Sequence, residues 1–420
     1  MNKQRIPALA VARTVSGQRR MRTSSVFALA LAGALLGGCA NAPRIEFTAA
    51  DQMAAVPVGG RNIRFWADSP ETLLQDAAWR ASVQKGEPFV YLALSGGGGG
   101  GAFGAGALNG WTESGTRPKF TVVSGVSVGA MIAPFAFLGP DYDATLREIY
   151  TNGTAEALVE ETNPLRVLLG DGLIARGKLR ELVGRYLTDD VLNAIAREDK
   201  KGRRLLVVTT NLDAQRAVIW DMGAIAAAGG PEAFKLFRDI IAASASVPVV
   251  FEPQLIDVAA RGKQFQEMHV DGSVSAPVFI LPDMLLLGGK TIAGRGGRQA
   301  LYVIVNARLD AGFEVVKDAS DAIATRAFGV MNRVETAAVL EQTYNASKRN
   351  GMGFHLGYIG KDVPDNGGTG FETDRMRALF ENGHAKALGG ELWRNKPPQV
   401  EKAVATAQPS AGAADKPPAP

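Results

Sequence analysis

The chain has a single cysteine, Cys39, so no intrachain disulfide framework can hold it together. Histidine is almost as scarce, with only His269, His355 and His384, and no His, Cys or acid cluster shows metal-ligand spacing. Calcium-loop patterns are absent too. No Gly-Lys-Ser/Thr follows the glycine run, which excludes a P-loop, and Gly96-x-Gly98-x-x-Gly101 lacks the acidic strand end of a dinucleotide fingerprint. Neither a cofactor nor a metal is therefore expected. Positive charge is also lacking once its location is considered. The formal net charge is +4, but residues 1–38 carry six bases (Lys3, Arg5, Arg13, Arg19, Arg20, Arg22) and no acid. Removing those six from 46 leaves 40 bases against 42 acids, a net of −2, so nothing points to nucleic acid.

Long hydrophobic runs are missing as well. The apolar stretch Val26 to Leu36 is too short for a comfortable membrane span, and it follows Arg19, Arg20 and Arg22 in the manner of a secretory signal. Leu36-Gly37-Gly38-Cys39 resembles a bacterial lipobox. That resemblance implies cleavage before Cys39, a lipid on its sulfur, and, with Ala40 and not Asp next, a place at the outer membrane facing the periplasm. An ordinary signal with a chance cysteine is the other reading, and Met21 competes with Met1 as the start.

What the chain does have is glycine, 49 residues, much of it in identifiable loops. Phe89 to Leu94 is a short apolar run that reads as a buried strand. Six glycines follow, Gly96 to Gly101, and then a helix-like segment, Ala102 to Trp111. A second apolar run, Phe120 to Val123, leads into Gly125-Val126-Ser127-Val128-Gly129. G-x-S-x-G is the pattern of a nucleophile elbow, a serine on a tight strand-to-helix turn. The helix after Ser127 aims its unsatisfied N–H groups at the site, where negative charge develops in acyl transfer. A glycine loop after a strand can form a nest of N–H groups for an anion or oxyanion. A serine in a glycine turn has a structural reading too, but two such motifs in one βαβ unit favour chemistry.

Taken with a later Asp271-Gly272-Ser273, these motifs resemble the patatin-like phospholipase family. The glycine run, then Gly106-Ala107-Leu108, then Gly125 to Gly129 and the Asp-Gly dipeptide occur in family order. The resemblance implies an α/β, patatin-like three-layer fold with a central, mostly parallel sheet flanked by helices. It implies a Ser–Asp dyad: Ser127 as nucleophile, Asp271 as the base that takes its proton and later activates water. Gly97, Gly98 and Gly99 are the implied oxyanion N–H donors, with Gly96, Gly101, Gly125, Gly129 and Gly272 as motif glycines. Three departures stand out: Gly100 where the family often has Arg or Lys, Ser273 where Gly or Ala is commoner, and Pro134 in the helix after the elbow.

The resulting expectation is a signal over 1–38, a tether and lead-in over 39–87, a catalytic core over 88–282, its C-terminal part over 283–395, and a disordered tail over 396–420. Helices are expected at Ser69 to Lys85, at Val128 to Leu138 (kinked or cut short at Pro134), in a broken cap-like stretch from Thr145 to Tyr186, and at Glu232 to Ala245, Ser320 to Lys348 (with Gly329 a candidate break) and Glu372 to Leu388. Strands are expected at Asn62 to Ala67, Leu205 to Thr210 with a hairpin partner at Ala217 to Trp220, Met268 to Val270, Leu301 to Asn306 and Phe354 to Ile359. The expected function is a serine acyl hydrolase that cleaves fatty-acyl esters of phospholipid or lysophospholipid, held at a membrane surface by the Cys39 anchor. Three alternatives remain open: a non-catalytic envelope lipoprotein binding lipid or a partner, a conventional Ser–His–Asp esterase using His355 or His384, and an acyltransferase.

Overall fold

In the computed structural model the described residues are 44–57, 63–69, 88–160, 176–248, 250–280, 299–363 and 371–401. Residues 1–46 and 47–420 form separate units, and of the first only 44–46 are among the described residues. The expected signal, Cys39 and the helix at Ser69 to Lys85 all lie outside the described residues, apart from Ser69 itself.

The second unit begins with helix α1 (Ala49–Ala54), capped by Thr48 and Asp51 in a reciprocal capping box, and strands β1 (Val56–Pro57) and β2 (Arg64–Trp66). Strand β3 (Phe89–Leu94) runs into a single 3₁₀ turn at Gly98–Gly100 and helix α2 (Gly101–Glu113). Strand β4 (Val122–Val126) and helix α3 (Val128–Leu138) follow. Next come α4 (Asp143–Thr151), α5 (Thr154–Glu160), α6 (Arg176–Tyr186) and α7 (Asp189–Lys200). Strands β5 (Arg204–Asn211) and β6 (Arg216–Asp221) make a hairpin, followed by α8 (Met222–Ala228) and α9 (Gly230–Ser244). A second hairpin is built from β7 (Gln254–Ala260) and β8 (Lys263–Asp271). Strand β9 (Gln299–Arg308), helix α10 (Ser320–Arg349), strand β10 (Gly353–Ile359) and helix α11 (Thr373–Leu388) complete it.

Among the described residues all ten strands join one sheet in the order β1-β7-β8-β5-β4-β3-β9-β10, with β6 on β5 and β2 on β6. The run β5-β4-β3-β9-β10 is parallel, as the expected fold requires, and the hairpin strands add antiparallel pairs around it. Parallel strands buried on both faces read as continuous apolar runs, and β3 and β9 show this. Val90, Leu92 and Leu94 of β3 face the large core under α2, α3, α7 and α9. Phe89, Tyr91 and Ala93 face a smaller core on the other side, where Leu340 of α10 packs.

Helices α2 and α11 meet backbone to backbone. A Cβ on Gly106 would sit 1.9 Å from the Phe380 carbonyl oxygen, and one on Gly110 would sit 2.1 Å from that of His384. Only glycine, one helical turn apart, admits this approach, which presses α2 between the sheet and α11 and so fixes where its N-terminus points.

The structure departs from the sequence expectation at several places. Helix α10 runs unbroken through Gly329, because one exposed glycine costs a helix only about 1 kcal/mol. Helix α3 likewise continues past Pro134 to Leu138 and is not cut short; Pro134 is buried, and packing holds the turn that the missing N–H weakens. The β7–β8 hairpin extends the expected three-residue strand to nine. Its two-residue turn uses Arg261 (φ 51°) and Gly262 (φ 78°), the left-handed pair that hairpin twist favours. Helix α7 was not expected either, although Thr188 caps it through the Val191 N–H. The cap-like stretch is helical at α4, α5 and α6, and 161–175 lies outside the described residues. Residues 398–401 of the expected tail make a helical turn, and 402–420 are outside the described residues. Among the described residues no helix is long and apolar enough to cross a membrane.

Candidate active site

Strand β5 brings the key residues together by its register. Its first half pairs in parallel with β4, ending at Val126 opposite Val208. One residue on, Thr209 pairs antiparallel with Asp271, the last residue of β8. Strands β4 and β8 thus run toward each other along the same side of β5, and their C-terminal ends meet. Ser127 cannot continue β4 because Asp271 takes the next place, and the chain turns sharply there into α3.

That turn puts Ser127 at φ 56° and ψ −126°, a strained backbone for a residue with a side chain. The surroundings hold it. The Ser127 N–H donates to Ser244 Oγ at 3.0 Å, and Ser244 Oγ donates to the Val208 carbonyl at 2.7 Å, so the end of α9 braces the elbow against β5. The flanking glycines leave no room for alternatives: a Cβ on Gly125 would lie 2.4 Å from the Gly129 carbonyl oxygen, and one on Gly129 would lie 2.4 Å from that of Leu94. The Ser127 hydroxyl donates to Asp271 Oδ2 at 2.5 Å.

Asp271 is fully buried. Its Oδ1 accepts the Ser273 N–H at 2.7 Å, its own N–H donates to the Ser246 carbonyl at 2.9 Å, and its carbonyl accepts Thr210 Oγ1 at 2.9 Å. Burial pushes its carboxyl up from 3.8 to about 6, against the downward pull of hydrogen bonds from Ser127 and Ser273. A carboxylate near pH 6 is a better base than an ordinary aspartate and still ionised at neutral pH. Ser273, a departure in the sequence pattern, serves the acid through its backbone.

The glycine loop is pinned by Asn306 at the end of β9. The Asn306 N–H donates to Ser95 Oγ at 2.9 Å and its Nδ2 donates to the Ser95 carbonyl at 2.8 Å. Gly97, at φ 152°, passes so close that a Cβ would lie 2.0 Å from the Asn306 carbonyl oxygen, and Gly98 is left-handed at φ 54°. The N–H of Gly96 is taken by the Pro277 carbonyl and that of Gly100 by Gly97. The first N–H groups of a helical segment have no intrahelical acceptor, so the turn starting at Gly98 presents free donors.

Gly98 and Gly99 share a narrow cavity of about 60 Å³ with Ser127. Its wall is apolar: Met131, Ile149, Leu179, Leu182, Phe371 and Met376 are among the side chains that line it. The hydroxyl of Tyr150, in the same wall, is buried and has no hydrogen-bond partner among the described residues. Gly97 lines a different hollow, together with Ser95, Gly96 and Ser273.

All three histidines are engaged elsewhere. His269 is buried between Thr209 Oγ1 (2.9 Å) and Glu267 Oε2 (3.2 Å), and burial holds its imidazole below the usual range, so it is neutral. His355 stacks on Tyr302 at 4.4 Å, three strands from Ser127 in the sheet order. His384 Nε2 lies 2.9 Å from Glu113 on the α2–α11 face. None is placed to relay a proton from Ser127.

Sequence reasoning named Ser127, Asp271 and the glycine loop, and the structure brings Ser127 against Asp271 and beside Gly98 and Gly99; it did not name Ser244, Asn306 or the wall residues Phe371 and Met376. Ser244 closes a small-residue helix end whose pattern was visible; Asn306 carried no local signal. Cys39 lies outside the described residues.

A strained serine bonded to a buried carboxylate, beside free N–H groups and an apolar hollow, holds every part needed for acyl transfer from an apolar ester. Residues 92–283 match the patatin family, described as patatin-like phospholipase, so this part of the chain is a patatin-like phospholipase domain, of a family of lipid acyl hydrolases. No curated protein matches the chain. Among solved structures, VipD from Legionella pneumophila is similar at 13% identity and a TM-score of 0.30, over 72% of this chain and 67% of that one. A likeness at that level carries no argument here.

Proposed function

We propose that the chain is a serine acyl hydrolase acting on fatty-acyl esters of phospholipids or lysophospholipids through a Ser127–Asp271 dyad and an acyl-enzyme. The observation that carries the reading is the 2.5 Å hydrogen bond from Ser127 Oγ to Asp271 Oδ2, made with no intervening histidine.

In this mechanism the Asp271 carboxylate takes the hydroxyl proton as Ser127 Oγ bonds to the ester carbonyl carbon. The carbonyl oxygen becomes an oxyanion, held by the N–H groups of Gly98 and Gly99 and by the N-terminal ends of α2 and α3. The ester C–O bond then breaks, and the proton on Asp271 passes to the leaving alcohol. Asp271, ionised again, removes a proton from water as it attacks the acyl-serine; the bond to Ser127 Oγ then breaks, the proton on Asp271 returns to that oxygen, and the free fatty acid leaves. The acyl chain lies in the apolar hollow, which is narrow enough that Met131, Met376 and Phe371 have to move aside for a long chain. Gly97 shapes the loop more than it faces the reacting carbonyl. In the same reading Cys39 carries a lipid that holds the domain at the periplasmic face of the outer membrane.

The test uses a fluorophosphonate probe and fatty-acid release from phospholipid vesicles. Wild type is expected to label and hydrolyse; Ser127→Ala loses both by at least about 1,000-fold, and Asp271→Asn loses hydrolysis while staying folded. Near-normal hydrolysis by Asp271→Asn overturns the dyad. A wild type that neither labels nor hydrolyses, where a control lipase does both, overturns the enzyme reading in favour of a lipid-binding one. The anchor is tested separately: Cys39→Ser is expected to lose lipid incorporation.

A further inference from the structure

The apolar hollow beside Ser127 has one polar group that the mechanism does not use. Among the described side chains that line it, only Ser127 and Tyr150 carry oxygen, and the Ser127 hydroxyl is committed to Asp271. Tyr150 stands near the end of α4, with its ring against the first turn of α2, where a Cβ on Gly101 would meet its Cε1 at 3.0 Å. Its hydroxyl is buried and has no hydrogen-bond partner among the described residues. Burial pushes the phenol above its usual range, so it stays a neutral O–H. A buried hydroxyl left unpaired forfeits the hydrogen bonds it makes to water in the unfolded chain. Phenylalanine would fill the same space without that loss, and a plain alkyl chain in the hollow would shut the hydroxyl in further. The hydroxyl suits a ligand that brings an oxygen of its own.

Its position says where on the ligand that oxygen lies. The same Cβ on Gly101 would lie 3.2 Å from Tyr150 Oη and 2.2 Å from Val128 Cγ2. Gly101 opens α2 two residues after Gly99, and Val128 directly follows Ser127. The hydroxyl is therefore at the ester end of the hollow, close to the reacting groups. It neighbours the side chain of Val128, and the Gly101 N–H is turned away to the Gly98 and Gly99 carbonyls. It is thus set off from the N–H groups that take the carbonyl oxygen, at the level of the first carbons of the acyl chain.

We propose that Tyr150 is a specificity residue whose hydroxyl pairs with a hydroxyl on the acyl group close to its carbonyl, as in a β-hydroxyacyl ester, so that the hollow takes such esters in preference to plain ones. Phenol and chain hydroxyl each donate and accept, so either O–H can turn to complete the pair. A site built to bond a substrate hydroxyl rejects the analogue that lacks it, because its own polar group is then left unpaired. The proposal rests on the hydrolase reading above and narrows its substrate class.

The test pairs butyryl and β-hydroxybutyryl nitrophenyl esters, which ask least of the narrow hollow, with each rate divided by that ester's own alkaline hydrolysis. Wild type is expected to favour the hydroxyacyl ester in kcat/KM by at least about tenfold. Tyr150→Phe is expected to bring the two esters level while its melting temperature holds. No preference in wild type, or a preference that survives in Tyr150→Phe, overturns the proposal. So does a variant that loses both esters alike, which would assign the hydroxyl to the carbonyl oxygen or to the fold. A second measurement needs no turnover: Ser127→Ala protein, with and without Tyr150→Phe, is titrated with decanoate and β-hydroxydecanoate by calorimetry. The hydroxy acid is expected to bind at least about tenfold tighter, and the difference to vanish with Tyr150→Phe. Binding that is equal for the two acids, or absent for both, overturns the proposal. If wild type turns over neither ester, the catalytic reading fails and the titration alone decides what the hollow prefers.

Discussion

Replacing Asp271 with asparagine is expected to abolish activity and to stabilise the protein, and the gain is expected to grow with pH. The raised carboxyl of Asp271 means that the fold prefers its neutral form. Below about 3.8 the group is protonated in folded and unfolded chains alike, and burial carries no ionic penalty. Above about 6 it is ionised in both, and the folded state bears the full cost of a buried charge. A rise from 3.8 to about 6 corresponds to about 3 kcal/mol. Wild-type stability from this group is therefore lost as pH climbs through 4 to 6, and asparagine, neutral throughout, escapes the loss. The substitution keeps the contacts: an amide oxygen accepts the Ser273 N–H, and the amide nitrogen donates to Ser127 Oγ. Imperfect geometry takes part of the gain, so the expected melting temperature is about 5 °C above wild type at pH 8, shrinking toward zero below about pH 4. Differential scanning fluorimetry across that range measures it, alongside turnover of a soluble ester. A difference that stays flat with pH, or an asparagine variant that melts lower at pH 8 than at pH 5, would refute the picture of a carboxylate held ionised at a cost.

Other expectations follow from the same contacts. Soluble-ester kcat/KM should rise with pH around a midpoint of about 6, the pH at which Asp271 ionises, and a midpoint near 4 or 8 would point to another group. Ser244→Ala removes the brace under the strained Ser127 N–H, so activity should fall about tenfold or more, with a stability loss of about 1–2 kcal/mol measured by urea unfolding. Gly106→Ala drives a methyl into the Phe380 carbonyl and should destabilise by about 2 kcal/mol or more, visible as a lower urea midpoint. Tyr150→Phe deletes a buried hydroxyl with no partner among the described residues, so the melting temperature should hold or rise; a fall would show that the hydroxyl is satisfied in solution.

Much of the fold was legible because its central strands are buried on both faces and so read as continuous apolar runs. β3 was read to its end residues, and α3 and α11 nearly so. The β7–β8 hairpin was not, since Asp257, Lys263, Gln266 and Glu267 interrupt the apolar alternation; Glu267 is buried nonetheless, bonded to Gln52 and Arg64 from far along the chain. A buried charge satisfied by distant partners looks, in a local window, like a solvated one.

The residues at the centre of the candidate site were already marked in the linear order. Glycines flank Ser127 because only they fit the crowded elbow, and the Asp-Gly pair ends a strand where a tight turn is needed. These are local steric demands, and local demands leave local traces. What only the tertiary structure decided is the meeting of parts far apart. It set Asp271 in the place Ser127 vacates beside β5, put Asn306 under the glycine loop and Ser244 behind the elbow, and left the Tyr150 hydroxyl in an apolar wall. Each depends on strand register and helix placement, which arise from packing the whole core and are written in no single stretch of chain.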